Sequence, residues 1–133
     1  MSMSTALLTI TDYVTDARIL LQDTIAPYRY SDASLVTAMN VTLLEGRRLR
    51  PDLFVYNCDN KGRVQALQGV DATVVNIEEP FRLAFLHGMV AHALTRDQED
   101  VQDERAIAFL GVFNSILLGR STVPRGAPPQ VGG

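Results

Sequence analysis

Four stretches of the chain carry apolar residues at intervals of three and four, the pattern of helices with one buried face. In the first, Tyr13, Ala17, Leu20 and Leu21 form the stripe, with Arg18 and Gln22 outside it. Thr9 and Asp12 ahead of it have capping-box spacing, so the helix starts at Thr9 or Thr11. Asp12 and Asp16 then lie where the helix dipole favours negative charge. Asp23-Thr24 and Pro27 end this helix, and a basic-aromatic connector, Tyr28-Arg29-Tyr30, leads to the next. Ser31 is its N-cap, with Asp32 in the first turn and Leu35, Ala38, Met39, Leu43 and Gly46 on one face. The small Ala38 and Gly46 let another helix approach closely there. Pro51 drives Arg50 out of the helical region and stops the helix.

Between residues 53 and 77 the spacing shortens. Leu53-Phe54-Val55-Tyr56 and Thr73-Val74-Val75-Asn76-Ile77 are β-branched or aromatic runs, and residues 63–67 alternate weakly. Asp59-Asn60-Lys61-Gly62 between them is turn chemistry. These features predict a small β-hairpin or three-stranded insertion. Glu79-Pro80 opens a third helix, in which Phe81, Phe85, Met89, Val90 and Leu94 are joined by enough alanine and leucine to leave almost no polar face. Such a helix belongs at the centre of a core. Asp97 is the expected cap of a fourth helix, with Glu99 and Asp100 in its first turn. Ala106, Phe109, Leu110, Phe113, Ile116 and Leu117 form its buried stripe, and Gly119 stands just past its end. Residues 121–133 hold three of the six prolines and three of the nine glycines, with little to bury. The predicted fold is mainly α: a four-helix bundle with a small β-hairpin insertion and a flexible C-terminal tail. Its divisions are an N-terminal extension at 1–8, a helical domain at 9–119 with the insertion at about 53–77, and an arm at 120–133.

Composition narrows the function classes. A chain of 133 residues, 47% hydrophobic and 20% charged, has the balance of one globular domain able to bury a core without metals or disulfides. Its formal charge of −3 argues against a general nucleic-acid binder. No apolar run reaches the roughly 20 residues of a membrane span. The lone Cys58 excludes an internal disulfide and fits synthesis in a reducing cytoplasm. Of twelve basic residues only Lys61 is a lysine, a bias that fits protein interfaces and equally a GC-rich genome.

Candidate chemistry is sparse. His87 and His92 are five apart and point to different sides of a helix, so they do not form an i, i+4 metal pair. Glu99, Asp100, Asp103 and Glu104 read as a solvated helix start, and Cys58 has no adjacent activating partner. Phosphate loops, zinc spacings, dinucleotide fingerprints and hydrolase triads are absent, so no catalytic residue, metal or cofactor is expected. Asn40-Val41-Thr42 matches a glycosylation sequon by chance, inside a predicted helix. Arg47, Arg48 and Arg50 admit two readings: contact with phosphates or a neighbour's carboxylates, or cations that complement a helix end. A small helical DNA-binding regulator using these three arginines is the alternative function. The connector at 24–30 is longer than a helix-turn-helix turn, which counts against it. A hydrolase would need His92 and the acidic group to converge.

The order of these pieces resembles the head-to-tail adaptor (connector) proteins of tailed bacteriophages. The resemblance rests on residues 16–24, on Arg29-Tyr30-Ser31, Leu35, Asn40 and Glu45, and on Arg50-Pro51-Asp52-Leu53-Phe54. It continues through Pro80, Ala93-Leu94-Thr95-Arg96-Asp97, Glu99-Asp100, Arg105-Ala106 and Phe113-Asn114, covering roughly residues 10–118. His92 departs from it, standing where a tyrosine or arginine is expected. The resemblance implies a non-enzymatic virion protein of the neck. Such proteins form a homo-oligomeric ring, usually of twelve copies, between the portal and the tail or nozzle proteins, with transient passage of double-stranded DNA and no membrane partner. Ser121, Thr122, Val123, Pro124, Arg125, Pro128, Pro129 and Val131 become the candidate portal-binding arm. Arg47, Arg48 and Arg50 become candidate subunit-interface or channel residues. A mildly acidic subunit suits a conduit, because each neutralised phosphate would strengthen a grip on the passing DNA.

Overall fold

The computed structural model describes residues 7–54, 66–96 and 103–119. Thr9 caps α1 (Ile10–Leu21) through the predicted capping box, its side chain accepting from the Asp12 N–H while the Asp12 carboxylate accepts from the Thr9 N–H. Ser31 caps α2 (Asp32–Leu49), accepting from the Ser34 N–H at 3.0 Å. Pro51 ends α2 as expected and starts a 3-10 turn, Pro51–Phe54. α3 runs Glu79–Arg96 with Pro80 in its first turn, and α4 runs Asp103–Leu118. Gly119 follows with φ +68°, the left-handed conformation suited to the residue past a helix end.

α3 lies at the centre and packs against the other three helices. Ala84, Phe85, Leu86, Met89, Val90, Ala91, Ala93 and Leu94 are all buried, as the lack of a polar face predicts. Two glycines set how closely its neighbours approach. A Cβ on Gly46 of α2 would lie 2.5 Å from the Phe85 ring, and one on Gly88 of α3 would lie 2.6 Å from Thr42 and 2.8 Å from Phe113. Gly46 was legible from its helical face, whereas Gly88 was not singled out. The rings of Phe54, Phe85 and Phe113 then meet edge to face, with centroids 5.8 and 5.5 Å apart, linking the 3-10 turn, α3 and α4.

The expected β-hairpin insertion is not found among the described residues. Leu53 and Phe54 belong to the 3-10 turn, where Pro51 has already bent the chain, and both side chains enter the core. Residues 73–77 are partly extended, but they pair with the start of α1 and not with a hairpin partner. Ile10 N–H donates to the Thr73 carbonyl and Val75 N–H to that of Leu8, an isolated antiparallel bridge. No regular strand occurs among the described residues. Residues 55–65, with the expected turn and Cys58, lie outside the described residues, as do the expected Asp97 cap and the arm at 121–133.

A second correction concerns α1. Arg18, expected on the outside, is only 7% exposed, because its guanidinium turns into the corner between α1 and α2. Among the described residues no helix is long and apolar enough to cross a membrane.

Candidate functional site

The α1–α2 corner is the most elaborate polar structure among the described residues. Arg18 Nη1 donates to Asp23 Oδ2 and to the Tyr30 carbonyl, both at 2.9 Å, while Nη2 reaches Asp32 Oδ1 at 2.6 Å. The Tyr28 ring covers the guanidinium, 4.0 Å from its carbon to the ring centre. Asp23 also accepts from the backbone N–H groups of Arg29 and Tyr30 at 2.8 and 3.0 Å. The pair is buried on both sides, so its charges are stabilised by these directed contacts and not by water. This site binds the chain to itself; it leaves no evident donor for a substrate.

Other polar residues follow the same rule. The Asn40 side chain forms a paired amide contact with Leu67, donating to its carbonyl at 3.0 Å and accepting from its N–H at 2.8 Å. Arg105 of α4 donates to the Leu20 carbonyl at the end of α1, 2.8 Å away. Each contact satisfies a backbone group where an element ends or a loop passes.

The three candidate arginines are not equivalent. Arg50 makes a two-pronged pair with Asp52, both bonds 2.9 Å, and gives its remaining fork nitrogen to the Leu117 carbonyl at 2.6 Å. Each of its three guanidinium nitrogens therefore has a partner within the chain, and together they join the end of α2 to the end of α4. Arg48 pairs with Glu45 one turn back and stays 68% exposed. That hydrogen bond holds the Glu45 carboxyl below its ordinary range. Arg47 is half-buried and also engaged. Of the three, only Arg48 presents its charge broadly to solvent.

The histidines also separate. His87 lies against Phe109, ring centres 5.4 Å apart, and its Nδ1 is 2.8 Å from the Leu83 carbonyl, which requires Nδ1 to carry the proton. His92 is half-buried, and its Nε2 has no hydrogen-bond partner among the described residues. Burial pushes its imidazole below the usual range, with Glu45 on α2 pulling the other way. Among the described residues no group of three or more His, Cys, Asp and Glu side chains could hold a metal. Glu104 is exposed at the start of α4, while Glu99 and Asp100 lie outside the described residues.

A cleft of about 440 Å³ opens beside the extended residues 74–77, lined by Leu8, Leu53, Val74 and Ile77 with Asp52, Glu78 and Arg82 among its polar groups. Asp52 is taken by Arg50, and Arg82 Nε donates to the Ile77 carbonyl at 3.0 Å. Among the described residues the lining contains no Ser, Thr, Cys, His, Tyr or Lys.

Sequence reasoning missed Arg18, Asn40 and Arg105 as ties. The available signal was the pair Asp23 and Asp32 flanking an aromatic-basic connector that follows an arginine on α1. Comparison with known proteins adds no relative: no family model, no curated protein and no solved structure matches the chain.

Proposed function

We propose that the chain is a structural subunit of a tailed-bacteriophage virion, a head-to-tail adaptor whose copies form a ring between portal and tail. One observation carries this reading. The residues on which the resemblance rests include Arg18, Asp23, Tyr30, Asn40, Arg50, Asp52 and Arg105, and these are the side chains and backbone groups that join one element to another. An ordered set of such ties specifies an arrangement of helices, which a scatter of helix caps would not. That the adaptor-like residues are the ones that tie the helices together supports reading their order as a mark of architecture, from which function would follow by assembly.

In this reading the helical domain is the ring's wall and double-stranded DNA passes through the centre. The arm carrying Ser121, Thr122, Val123, Pro124, Arg125, Pro128, Pro129 and Val131 docks on the portal. Ordering a segment on binding lets it cover a large partner surface, and proline lowers the entropy lost. The test mixes full-length chain with the portal protein of the same virion. A stable co-migrating complex is expected, with association weakened when the chain is cut after Gly119. Failure to associate overturns the adaptor reading, and undiminished association of the shortened chain overturns the role of the arm.

A further inference from the structure

We infer that neighbouring copies meet by packing the outer face of α4 from one against the outer face of α2 from the next, antiparallel; the closed ring this builds rests on the adaptor reading. The observation begins with α4. After Arg105 it has no charged residue up to Leu118, a composition that belongs inside a protein. One side does pack inward, through Ala106, Phe113 and Leu117. The opposite side carries Glu104, Ile107, Ala108 and Gly111, all exposed, and the half-buried Ser115, aligned at i, i+3, i+4, i+7 and i+11.

Ile107 is 69% exposed, and a Cβ added at Gly111 would meet none of the described residues within 4 Å. That second fact separates Gly111 from the other two helical glycines. Gly46 and Gly88 are explained by the rings that press on them, whereas Gly111 has no such neighbour among the described residues. A glycine in a helix interior is destabilising by about 1 kcal/mol relative to alanine. Close approach of a helix from another copy supplies the missing reason.

α2 offers the complementary relief. Thr37, Val41, Leu44 and Arg48 form one outward line at i, i+4, i+7 and i+11, with Leu44 60% exposed. Both lines span eleven positions, about 16 Å at 1.5 Å per residue. Set antiparallel, Arg48 faces Glu104, Leu44 faces Ala108, Val41 faces Gly111 and Thr37 faces Ser115. Branched side chains thus meet the small residues, and the charges pair at one end. A parallel arrangement loses that pair. The exposed ion pair adds little affinity but fixes direction and register. Because the two faces differ, the contact is heterologous, and each copy keeps one of each face available for the next. A stripe this short makes a small interface, so closure, which gives every copy two such contacts, matters to its stability.

The experiment uses the full chain with Cys58→Ser, carrying Leu44→Cys, Ala108→Cys, or both, treated with a short thiol cross-linker. The double variant should give a ladder of covalent multimers, and neither single variant should cross-link. Dimers from either single variant would mean a symmetric contact and overturn the inference. Absence of a ladder from a chain that still rings on its portal would overturn it and leave the adaptor reading standing. A ladder from a chain with no affinity for portal would support the contact while sinking the adaptor reading; neither ladder nor portal association sinks both. In parallel, Gly111→Arg should raise the half-assembly concentration at least tenfold while the unassembled chain unfolds at no lower a temperature, since arginine is the better helix former. Arg48→Glu and Glu104→Arg should each weaken assembly, and together restore it. Unaltered assembly of Gly111→Arg, or failure of the paired swap to restore assembly, would overturn the antiparallel match.

Discussion

Two corners of the molecule are built on an arginine fork, and they hold the chain in different ways. At the α1–α2 corner the side chains of Arg18 and Asp23 are 8% and 7% exposed, so the bond between them is shielded from water, although Arg18 also reaches the exposed carboxylate of Asp32. At the end of α2, Arg50 and Asp52 are 31% and 61% exposed, so water competes for the same pair. Both arginines also satisfy a carbonyl, that of Tyr30 in one case and Leu117 in the other. The difference teaches where charge can carry a fold. In the dry corner, removing Asp23 takes away the one buried counter-charge and leaves Arg18 only the exposed Asp32; at the wet end, packing of Gly46 against Phe85 does the holding and the ion pair assists.

The largest effect should come from Asp23→Ala. It leaves two backbone N–H groups without their acceptor and leaves Arg18 only Asp32 and the Tyr30 carbonyl, at a cost of about 3 kcal/mol, the low end for a broken buried pair, readable by chemical denaturation. A loss under about 1 kcal/mol would mean that the corner is open to water. Next comes Gly46→Val, at about 1–3 kcal/mol, since its Cβ would collide with a ring already held between Phe54 and Phe113. Arg50→Ala should lower the unfolding midpoint less than either, and high salt should narrow its gap from the native chain because the exposed pair is screened. If Arg50→Ala matches Asp23→Ala, the contrast between the corners fails.

The smallest effect concerns His92. Its imidazole is held below the ordinary value of 6.5 by burial, so the unfolded chain takes up the proton first. Stability should be level above that value and decline as pH falls below it, a component that His92→Gln removes. An unchanged pH profile in that variant would assign the acid sensitivity elsewhere.

What was legible in the sequence was local. The Thr9–Asp12 box, the Ser31 cap, the Pro51 stop and the Gly46 face depend on residues within a few positions of one another, and all appear where expected. What misled was non-local. Arg18 sits outside an apolar stripe by periodicity, yet its partners at Asp23, Tyr30 and Asp32 come from the following connector and helix and draw it inside. Residues 73–77 have strand-like composition, but among the described residues their partner is Leu8–Ile10, far back in the sequence, so a correct extended tendency does not lead to a hairpin there. Leu53 and Phe54 look like strand residues because buried aromatics do; the preceding proline decided otherwise. For the arginines, sequence grouped Arg47, Arg48 and Arg50 by proximity, while geometry divides them by what their forks already hold.

The most direct measurement is the mass of the particles that the full-length chain forms with its portal. A discrete closed assembly with one fixed copy number, carrying the portal and many copies of this chain, is the predicted result. Single copies at every concentration, with and without the portal, would contradict it.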